Sequence, residues 1–202
     1  MEGAMTKRQK QAKETKRRLY EAAIALIQAK GFNGINIKDI TDLAGVSKGT
    51  FYTHFDSKED LILYTFTQSD EFYEEAYEKV KDLDFSYAMV QFITLAYLEN
   101  EKRGKEILKA LAASYPAMDY ESIYGNERGL IKYLRLLLKS GFEKGAIRED
   151  LDEDELLYMC LATLIGVETL WAFSSDEQKL SLRMEQQMSV LVRGMLKTDR
   201  II

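Results

Sequence analysis

The sequence contains few of the residues that interrupt helices or carry out reactions. Its 202 residues include one proline and twelve glycines, so long stretches run without a helix-breaking residue, which favours helix throughout. A single cysteine excludes a disulfide framework within the chain and is typical of a reducing compartment. One histidine, one cysteine and no glycine-rich phosphate loop offer little from which to build an active site. We therefore expect no enzyme, no cofactor and no metal site.

Long apolar segments are also scarce. No apolar stretch near the N-terminus resembles a signal peptide, and the most apolar segment, residues 156–173, is shorter than the roughly 20 residues of a membrane span. Thr163, Gly166, Glu168 and Thr169 interrupt that segment. We therefore expect a buried helix there, no membrane partner, and a cytoplasmic protein.

The charge is unevenly distributed along the chain. The net charge is −5, but residues 5–58 contain eleven Lys and Arg against five Asp and Glu, a balance of +6 that leaves −11 for the rest. A basic module on an acidic body suits a protein that binds phosphates with one part and has another task for the other. The alternative, a basic tail without a partner, does not explain Lys38, Lys48 and Lys58, which lie at or beside predicted helix starts.

The segment NIKDITDLAGVSKGTFYTHF, residues 36–55, predicts two short helices joined by a turn. Asn36 can cap the first helix, with Asp39 three positions later to complete a capping box. Apolar residues recur at helical spacing along that helix, and Gly45 follows where a left-handed residue lets the chain reverse. Ser47 can then cap the second helix.

The two faces of this second helix differ. At about 100° per residue, Phe51 and Phe55 fall together on the side toward the core. Gly49 and Thr53 point the opposite way, and that side carries short donors and acceptors rather than the Glu and Lys of an ordinary solvated helix. The pattern predicts a helix-turn-helix unit whose second helix faces DNA.

The stretch from residue 31 to 61 resembles the DNA-binding domain of the tetracycline-repressor (TetR) family of transcription regulators. The matching words are KGF at residues 30–32, AGVSKGTFYTHF at 44–55 and SKEDL at 57–61. The close resemblance covers the first quarter to third of the chain, and beyond it only the all-helical pattern and the length agree. Thr41 departs from the small apolar alanine usual in the family, and threonine is small enough to fit there.

The helical pattern along the chain predicts an all-α fold of about nine helices. The resemblance places a three-helix DNA-binding domain with the helix-turn-helix at residues 1–56, and a helical ligand-binding and dimerisation domain at residues 57–202. It also implies a homodimer that binds double-stranded DNA at a palindromic operator and responds to a small-molecule effector that the sequence does not identify. Repression that the effector relieves is the commonest mode in the family.

Matching the chain to the family motif, position by position, implies a set of DNA contacts. Lysines and small polar residues near helix starts would contact phosphates, whereas Gly49, Thr50 and Thr53 would approach base edges. Tyr52 and His54 flank that surface; a histidine is often a surface residue without a role, but these neighbours favour a DNA contact. The full set is Thr15, Lys16, Asn36, Lys38, Ser47, Lys48, Gly49, Thr50, Tyr52, Thr53, His54 and Lys58.

The periodic pattern also sets helix boundaries. It predicts a first helix at about residues 14–30, and one unbroken helix at about 57–81 that would link the two domains. A loop is expected at residues 116–125. The last helix is expected to open with a capping box formed by Ser175 and Gln178.

The last two helices suggest how two copies associate. Residues 156–173 are apolar nearly all round and the last helix has an apolar stripe, so one face of this pair can pack inside the body and another on a second copy. Two antiparallel helices inside a monomer core are the alternative. The expected interface residues are Leu164, Val167, Met184, Met188, Leu191 and Met195.

Aromatic residues and one carboxylate are the candidates for an effector pocket. Glu168 shares a helix stripe with Leu164 and Trp171, and a buried carboxylate there needs a partner: a cationic ligand, a tyrosine hydroxyl or an arginine. The expected lining is Phe66, Tyr73, Phe92, Tyr97, Tyr133, Glu168 and Trp171. One alternative function is a DNA-binding protein controlled by a protein partner without a ligand, against which an enclosed pocket would argue. A helical enzyme is the other alternative, for which the sequence offers few catalytic residues.

Overall fold

A computed structural model describes residues 6–115, 121, 124–175 and 177–197. Within those residues the fold is all-α, as predicted, with ten α-helices and no β-strand. The count exceeds the expected nine because one predicted helix is divided.

The first helix, α1 (Lys7–Lys30), begins about seven residues before its predicted start. Thr6 caps it: the Thr6 Oγ1 accepts a hydrogen bond from the Gln9 backbone N–H at 3.3 Å, and the Gln9 side chain accepts one from the Thr6 backbone N–H at 2.8 Å. The prediction of a start near residue 14 was wrong because this capping box was overlooked. The basic residues at positions 7–18 therefore lie on a helix.

The helix-turn-helix forms as predicted from α2 (Ile37–Ala44) and α3 (Lys48–Tyr52). Asn36 caps α2 in a complete capping box. Gly45 ends α2 at φ 65° and ψ 42°, a left-handed conformation that glycine adopts without steric cost. The Ser47 Oγ accepts a hydrogen bond from the backbone of the first turn of α3. Local sequence signals therefore define both helix starts and the turn.

These N-terminal helices share one apolar core. Leu19 and Ile27 of α1 are fully buried, and α1 packs across α2, where Ile40 is fully buried too. Phe51 and Phe55 point into the same core, as the helical spacing predicted. This packing fixes which side of α3 remains exposed.

Residues 57–81, which were predicted as one unbroken helix, form two. They are α4 (Lys58–Thr67) and α5 (Asp70–Val80). At the break, the Ser69 hydroxyl donates to the Thr65 carbonyl oxygen at 3.0 Å and accepts from the Arg103 guanidinium at 2.9 Å. A serine hydroxyl bonded back to the preceding turn bends helices. The prediction of one continuous element was therefore wrong.

The rest of the body is built from five helices. They are α6 (Phe85–Arg103), α7 (Lys105–Ser114), α8 (Gly129–Glu143), α9 (Glu153–Phe173) and α10 (Leu180–Met195). Asp152 caps α9 by accepting two backbone hydrogen bonds. The capping box predicted for Ser175 and Gln178 was wrong, because α10 begins only at Leu180 and the Gln178 carbonyl accepts instead from the Trp171 Nε1 at 2.6 Å. The loop predicted at residues 116–125 lies mostly outside the described residues, and of the described ones Glu121 and Tyr124 are helical rather than in a loop.

The apolar stripe of α10 belongs to the core of the protomer. α10 lies along α6, and Met184, Met188, Met195 and Leu164 are at most 1% exposed. Side chains buried to this degree have no surface to offer a second copy. Their assignment to a dimer interface was therefore wrong, and the alternative, an internal stripe, holds for them. Val167 and Leu191, the other two expected interface residues, are partly buried and pack against the same core.

The two last helices nevertheless expose a second apolar surface, here called the outer apolar face. It consists of Tyr158, Met159, Leu170 and Phe173 on α9 and Leu182 and Val190 on α10. α9 has the length and composition of a membrane-spanning helix, a weak indication that core helices share, and only 39% of its most apolar window is buried within the protomer. An exposed apolar surface of this kind marks an interaction site.

Candidate DNA-binding surface and effector cavity

The outward side of α3 is exposed and carries mostly small side chains. Gly49 and Thr53 are exposed, and Tyr52 has 49% of its surface exposed. The Thr53 Oγ1 donates to the Thr50 carbonyl oxygen at 2.7 Å, so its methyl group and its free lone pairs are what it can offer a base edge. The half-buried Thr50 lies with its hydroxyl 2.9 Å from the Ser47 Oγ.

Three lysine side chains near this surface differ in their exposure and in their contacts. Lys48 is exposed, with its Nζ 5.9 Å from the centre of the Tyr52 ring. Lys38 is exposed and bonded to Asp42 at 2.8 Å, a solvated pair that a phosphate can replace at little cost. Lys16 is half-buried, with its Nζ 4.2 Å from the centre of the Tyr64 ring. Lys48 is therefore the most available of the three for a phosphate.

Lys58 is held by internal contacts. Its Nζ donates to the carbonyl oxygens of Phe32 and Ile35 at 2.8 and 3.0 Å, and it lies 4.2 Å from the centre of the Phe32 ring. This ammonium connects the start of α4 to the turn after α1. The KGF segment (residues 30–32) and the SKEDL segment (residues 57–61) are therefore in contact. The placement favours a structural role, and we leave Lys58 out of the proposed phosphate contacts.

His54 lies half-buried at the end of α3. Burial lowers the pKa of its imidazole, and the nearby Lys16 ammonium lowers that pKa further. Both effects favour the neutral imidazole in the protein without DNA. Thr15, predicted to contact a phosphate as well, donates its hydroxyl to the Gln11 carbonyl oxygen at 2.9 Å.

A small cavity lies among helices α4 to α9. Its volume is about 40 Å³, enough for a few water molecules. Four of the seven expected lining residues border it: Phe66, Tyr73, Tyr97 and Glu168. The other three lie elsewhere: Tyr133 stacks on Tyr77 at 4.8 Å, Phe92 meets the Tyr133 ring at 6.4 Å, and Trp171 packs in a surface groove beside Lys105.

The cavity is more polar than the sequence indicated. Sequence reasoning missed Ser69, Asp70, Asn100, Arg103 and Arg128, all of which border it. These residues come from separate helices and loops, and each resembles an ordinary surface residue in its own segment. No local pattern could have brought them together.

Four of the cavity side chains form a hydrogen-bonded chain. The Asn100 Nδ2 donates to the Glu168 Oε2 at 3.1 Å. The Arg103 Nη1 donates to the Asn100 Oδ1 at 2.6 Å and to the Ser69 Oγ at 2.9 Å. The chain therefore joins α9, through α6, to the break between α4 and α5.

The same chain continues toward the DNA-binding helices. Ser69 bonds to the Thr65 carbonyl oxygen, and the Tyr20 hydroxyl of α1 donates to the Thr65 Oγ1 at 3.3 Å. The Arg103 carbonyl oxygen also accepts from the Gln28 Nε2 of α1 at 2.9 Å. Arg103 therefore contacts the cavity with its side chain and the DNA-binding domain with its backbone.

Glu168 has an unusual ionisation for a carboxylic acid. Burial raises the pKa of its carboxyl group to about 7, against the opposing effects of the Asn100 hydrogen bond and the Arg103 charge. Burial also raises the pKa of Tyr73, Tyr97 and Tyr115, so these three hydroxyls remain neutral.

A sequence profile described as "Bacterial regulatory proteins, tetR family" matches residues 19–65, the segment that contains the helix-turn-helix. Over nearly its whole length, the chain is also similar to the fatty acid metabolism regulator protein of Bacillus subtilis. The two are 24% identical over 208 residues, which cover 92% of this chain and 97% of that protein.

Solved structures share the fold. The transcriptional regulator FadR from Bacillus subtilis, in complex with stearoyl-CoA, superposes with a TM-score of 0.74 at 21% identity, covering 89% of this chain and 98% of that one. The Thermus thermophilus FadR, described as a TetR-family transcriptional repressor in complex with lauroyl-CoA, gives a TM-score of 0.64 at 19% identity, covering 93% and 98%.

The helix-turn-helix geometry, the family profile on the same residues and the similarity that runs through the body agree with one another. Residues 19–65 match the TetR-family profile, and the chain is similar through its body to regulators of that family; it is a DNA-binding transcription regulator rather than an enzyme.

Proposed function

We propose that this regulator is a cytoplasmic repressor that binds a near-palindromic operator as a homodimer and is released by a small molecule bound in its body. Residues 1–56 would contact DNA, and residues 57–202 would bind the effector and the second copy. The observation that carries this proposal is the continuous hydrogen-bonded chain between the cavity and the DNA-binding helices, because such a connection suits a protein in which one site controls the other.

The dimer is proposed on the outer apolar face. Its six exposed side chains lie on the last two helices, and a second copy related by a two-fold axis would cover the same surface on both protomers. A two-fold dimer also presents two α3 helices to one face of a duplex, about one helical turn apart.

The effector is proposed to contain an acyl or similar apolar group. The regulators solved with stearoyl-CoA and lauroyl-CoA share this fold, and leucines and phenylalanine border part of the cavity. A volume of about 40 Å³ is too small for such a group, so side chains around the cavity must move when it binds. That requirement supplies the conformational change that release from DNA needs.

The break between α4 and α5 is the element proposed to carry that change. Arg103 and Ser69 connect the break to the cavity, and α4 begins within a few residues of α3. A ligand that displaces Arg103 would alter the direction of α4 and with it the spacing of the two α3 helices. Ligand and operator should then oppose each other reciprocally, with a coupling of roughly 1–3 kcal/mol.

Selection of bound fragments from the source genome tests this function. We expect an enriched near-palindrome, with an affinity that falls steeply as salt concentration rises because phosphates displace counterions. A compound shown to bind the body should weaken operator binding. Recovery of no common palindrome would contradict the operator proposal, and a tightly bound compound without effect on operator affinity would contradict the release mechanism.

Substitutions at Lys48 and Thr53 should distinguish contacts to phosphates, which position the protein on DNA, from contacts to bases, which give sequence specificity. Lys48→Ala is expected to weaken binding to all duplexes alike and to reduce the salt dependence by about one phosphate contact. Thr53→Ala is expected to cost roughly 1–3 kcal/mol on the operator and little on random DNA, because base contacts carry specificity. The affinities for the operator and for a random duplex, measured at several salt concentrations, give the salt dependence and the ratio of the two affinities.

Lys30→Ala is the matched control, since Lys30 is exposed at the end of α1, outside the helix-turn-helix. If Thr53→Ala left the ratio of operator to random binding unchanged, the exposed side of α3 would not be the reading surface.

A further inference from the structure

Arg128 borders the cavity and carries a hydrogen-bond donor that no described residue accepts. Its side chain is 17% exposed, and its Nε is buried without a hydrogen-bond partner among the described residues. A buried donor left unpaired costs roughly 1–3 kcal/mol, and native proteins contain few of them. An acceptor bound in the cavity, either a water molecule or a polar group of a ligand, would satisfy such a donor.

The nearest carboxylate does not meet this need. The Asp70 Oδ1 lies 3.3 Å from the Arg128 Nη2, a long contact, and it also accepts the Gly129 backbone N–H at 3.1 Å. Asp70 is therefore shared with the start of α8. Its contact leaves the Nε–H of the guanidinium unused.

The charges around the cavity are complementary to an anion. Arg103 and Arg128 are positive and Asp70 is negative, while Glu168, with a pKa of about 7, is protonated in a large fraction of molecules at neutral pH. Three of the bordering tyrosines are neutral. When Glu168 is protonated, one net positive charge remains on the half-buried side chains that border the cavity, and an anion would compensate it.

We propose that the effector carries a carboxylate, and that one of its oxygens accepts the Nε–H of Arg128. The apolar part of the effector packs on the Leu111, Leu130 and Leu161 side of the cavity. This assignment rests on the proposed function, since it names the chemistry of the effector at that same site. An arginine is suited to a carboxylate because its planar fork offers several donors at once.

Two other ligand chemistries fit less well. A cationic ligand would need the Glu168 carboxylate, which already accepts from Asn100 and lies near the Arg103 charge. A neutral carbonyl, as in an ester or thioester, would satisfy the Nε–H but leave the positive charge uncompensated. The test therefore includes a cationic probe and an ester probe.

The test is calorimetric titration of the full-length protein, at neutral pH and without DNA, with octanoate, methyl octanoate, n-octanol and octylamine. These probes share one chain length and differ in the polar end. We expect octanoate to bind at least about tenfold more tightly than the other three, since a charge-assisted hydrogen bond is worth about 1.5–3 kcal/mol. Equal affinity for the ester would assign the site to a neutral carbonyl, and preference for the amine would assign it to Glu168; either result overturns the proposal.

Substitutions at Arg128 test whether this residue causes the preference for octanoate. Arg128→Met should abolish the preference for octanoate over octanol, and Arg128→Lys, which keeps the charge near Asp70 but lacks the Nε–H, should reduce it. Arg135→Met is the control, because Arg135 lies on α8, which directly follows Arg128, and pairs with Asp154 at 2.7 Å without bordering the cavity. It should keep the full preference. A preference that survives in Arg128→Met would overturn the proposal, provided that a thermal melt shows this variant to be folded; the Lys variant provides the same test if it is not.

Operator affinity, measured on the same samples, separates this proposal from the function on which it rests. If octanoate binds through Arg128 but leaves operator affinity unchanged, the carboxylate site stands and the release mechanism is wrong. If none of the four probes binds while the operator is bound specifically, the carboxylate site is wrong and the DNA-binding function stands.

Discussion

Leu170→Asp is expected to convert the dimer into a folded monomer that binds its operator about a hundredfold or more weakly. Leu170 is 74% exposed in the protomer, the largest exposed fraction among the six side chains of the outer apolar face. An aspartate there costs the protomer little, whereas in a dimer it would place an unpaired charge in an apolar interface. Loss of the partner removes the second half-site contact, and linked sites gain about 10²–10⁴ in avidity. Sedimentation, a thermal melt and operator titration measure the three consequences.

Two matched variants make this result specific. Met188→Asp is expected to unfold the protein, because Met188 is fully buried against α6. Tyr87→Asp, at an exposed aromatic on α6 outside the outer apolar face, should leave both assembly and operator affinity unchanged. A Leu170→Asp protein that sediments as the wild type does would show that the outer apolar face is not the interface between copies.

Glu168→Gln is expected to stabilise the protein above neutral pH and to remove part of its pH dependence. The pKa of Glu168 rises from an ordinary value of 4.5 in the unfolded chain to about 7 in the folded protein. The folded state therefore holds a proton that the unfolded chain releases, and stability falls as pH rises between about 4.5 and 7. Above that range the loss is complete, at roughly 3 kcal/mol in the free energy of unfolding.

The glutamine variant has no proton to lose at this position, and its side-chain oxygen can still accept from the Asn100 Nδ2. Urea unfolding at equal protein concentration should give the variant an advantage of about 3 kcal/mol near pH 8 and almost none near pH 4.5. Glu155→Gln, at an exposed carboxylate on the same helix, should show no such divergence. Parallel stability curves for Glu168→Gln and the wild type would mean that Glu168 is ionised in the folded protein at ordinary pH.

Prediction from sequence succeeded where the signals were local and failed where partners were distant. The turn at Gly45 and the caps at Asn36 and Ser47 depend on neighbours within a few residues, and all three form as expected. The break at Ser69 depends on its own hydroxyl and on Arg103, 34 residues away. Helical periodicity continues through that position without interruption, so it predicted one helix.

The sequence by itself determined the all-α class, the helix-turn-helix and the side of α3 that faces outward, because capping residues, a left-handed glycine and the spacing of two phenylalanines act over single helical turns. Only the tertiary structure decided the rest. Periodicity shows that a helix has apolar faces, but not which neighbour covers each one, so Met184, Met188, Met195 and Leu164 were predicted at a dimer interface although they lie in the core of the protomer. The cavity, too, arises only when Glu168, Arg103 and Arg128 are brought together by packing, because a buried polar group acquires its partners from whichever elements lie against it.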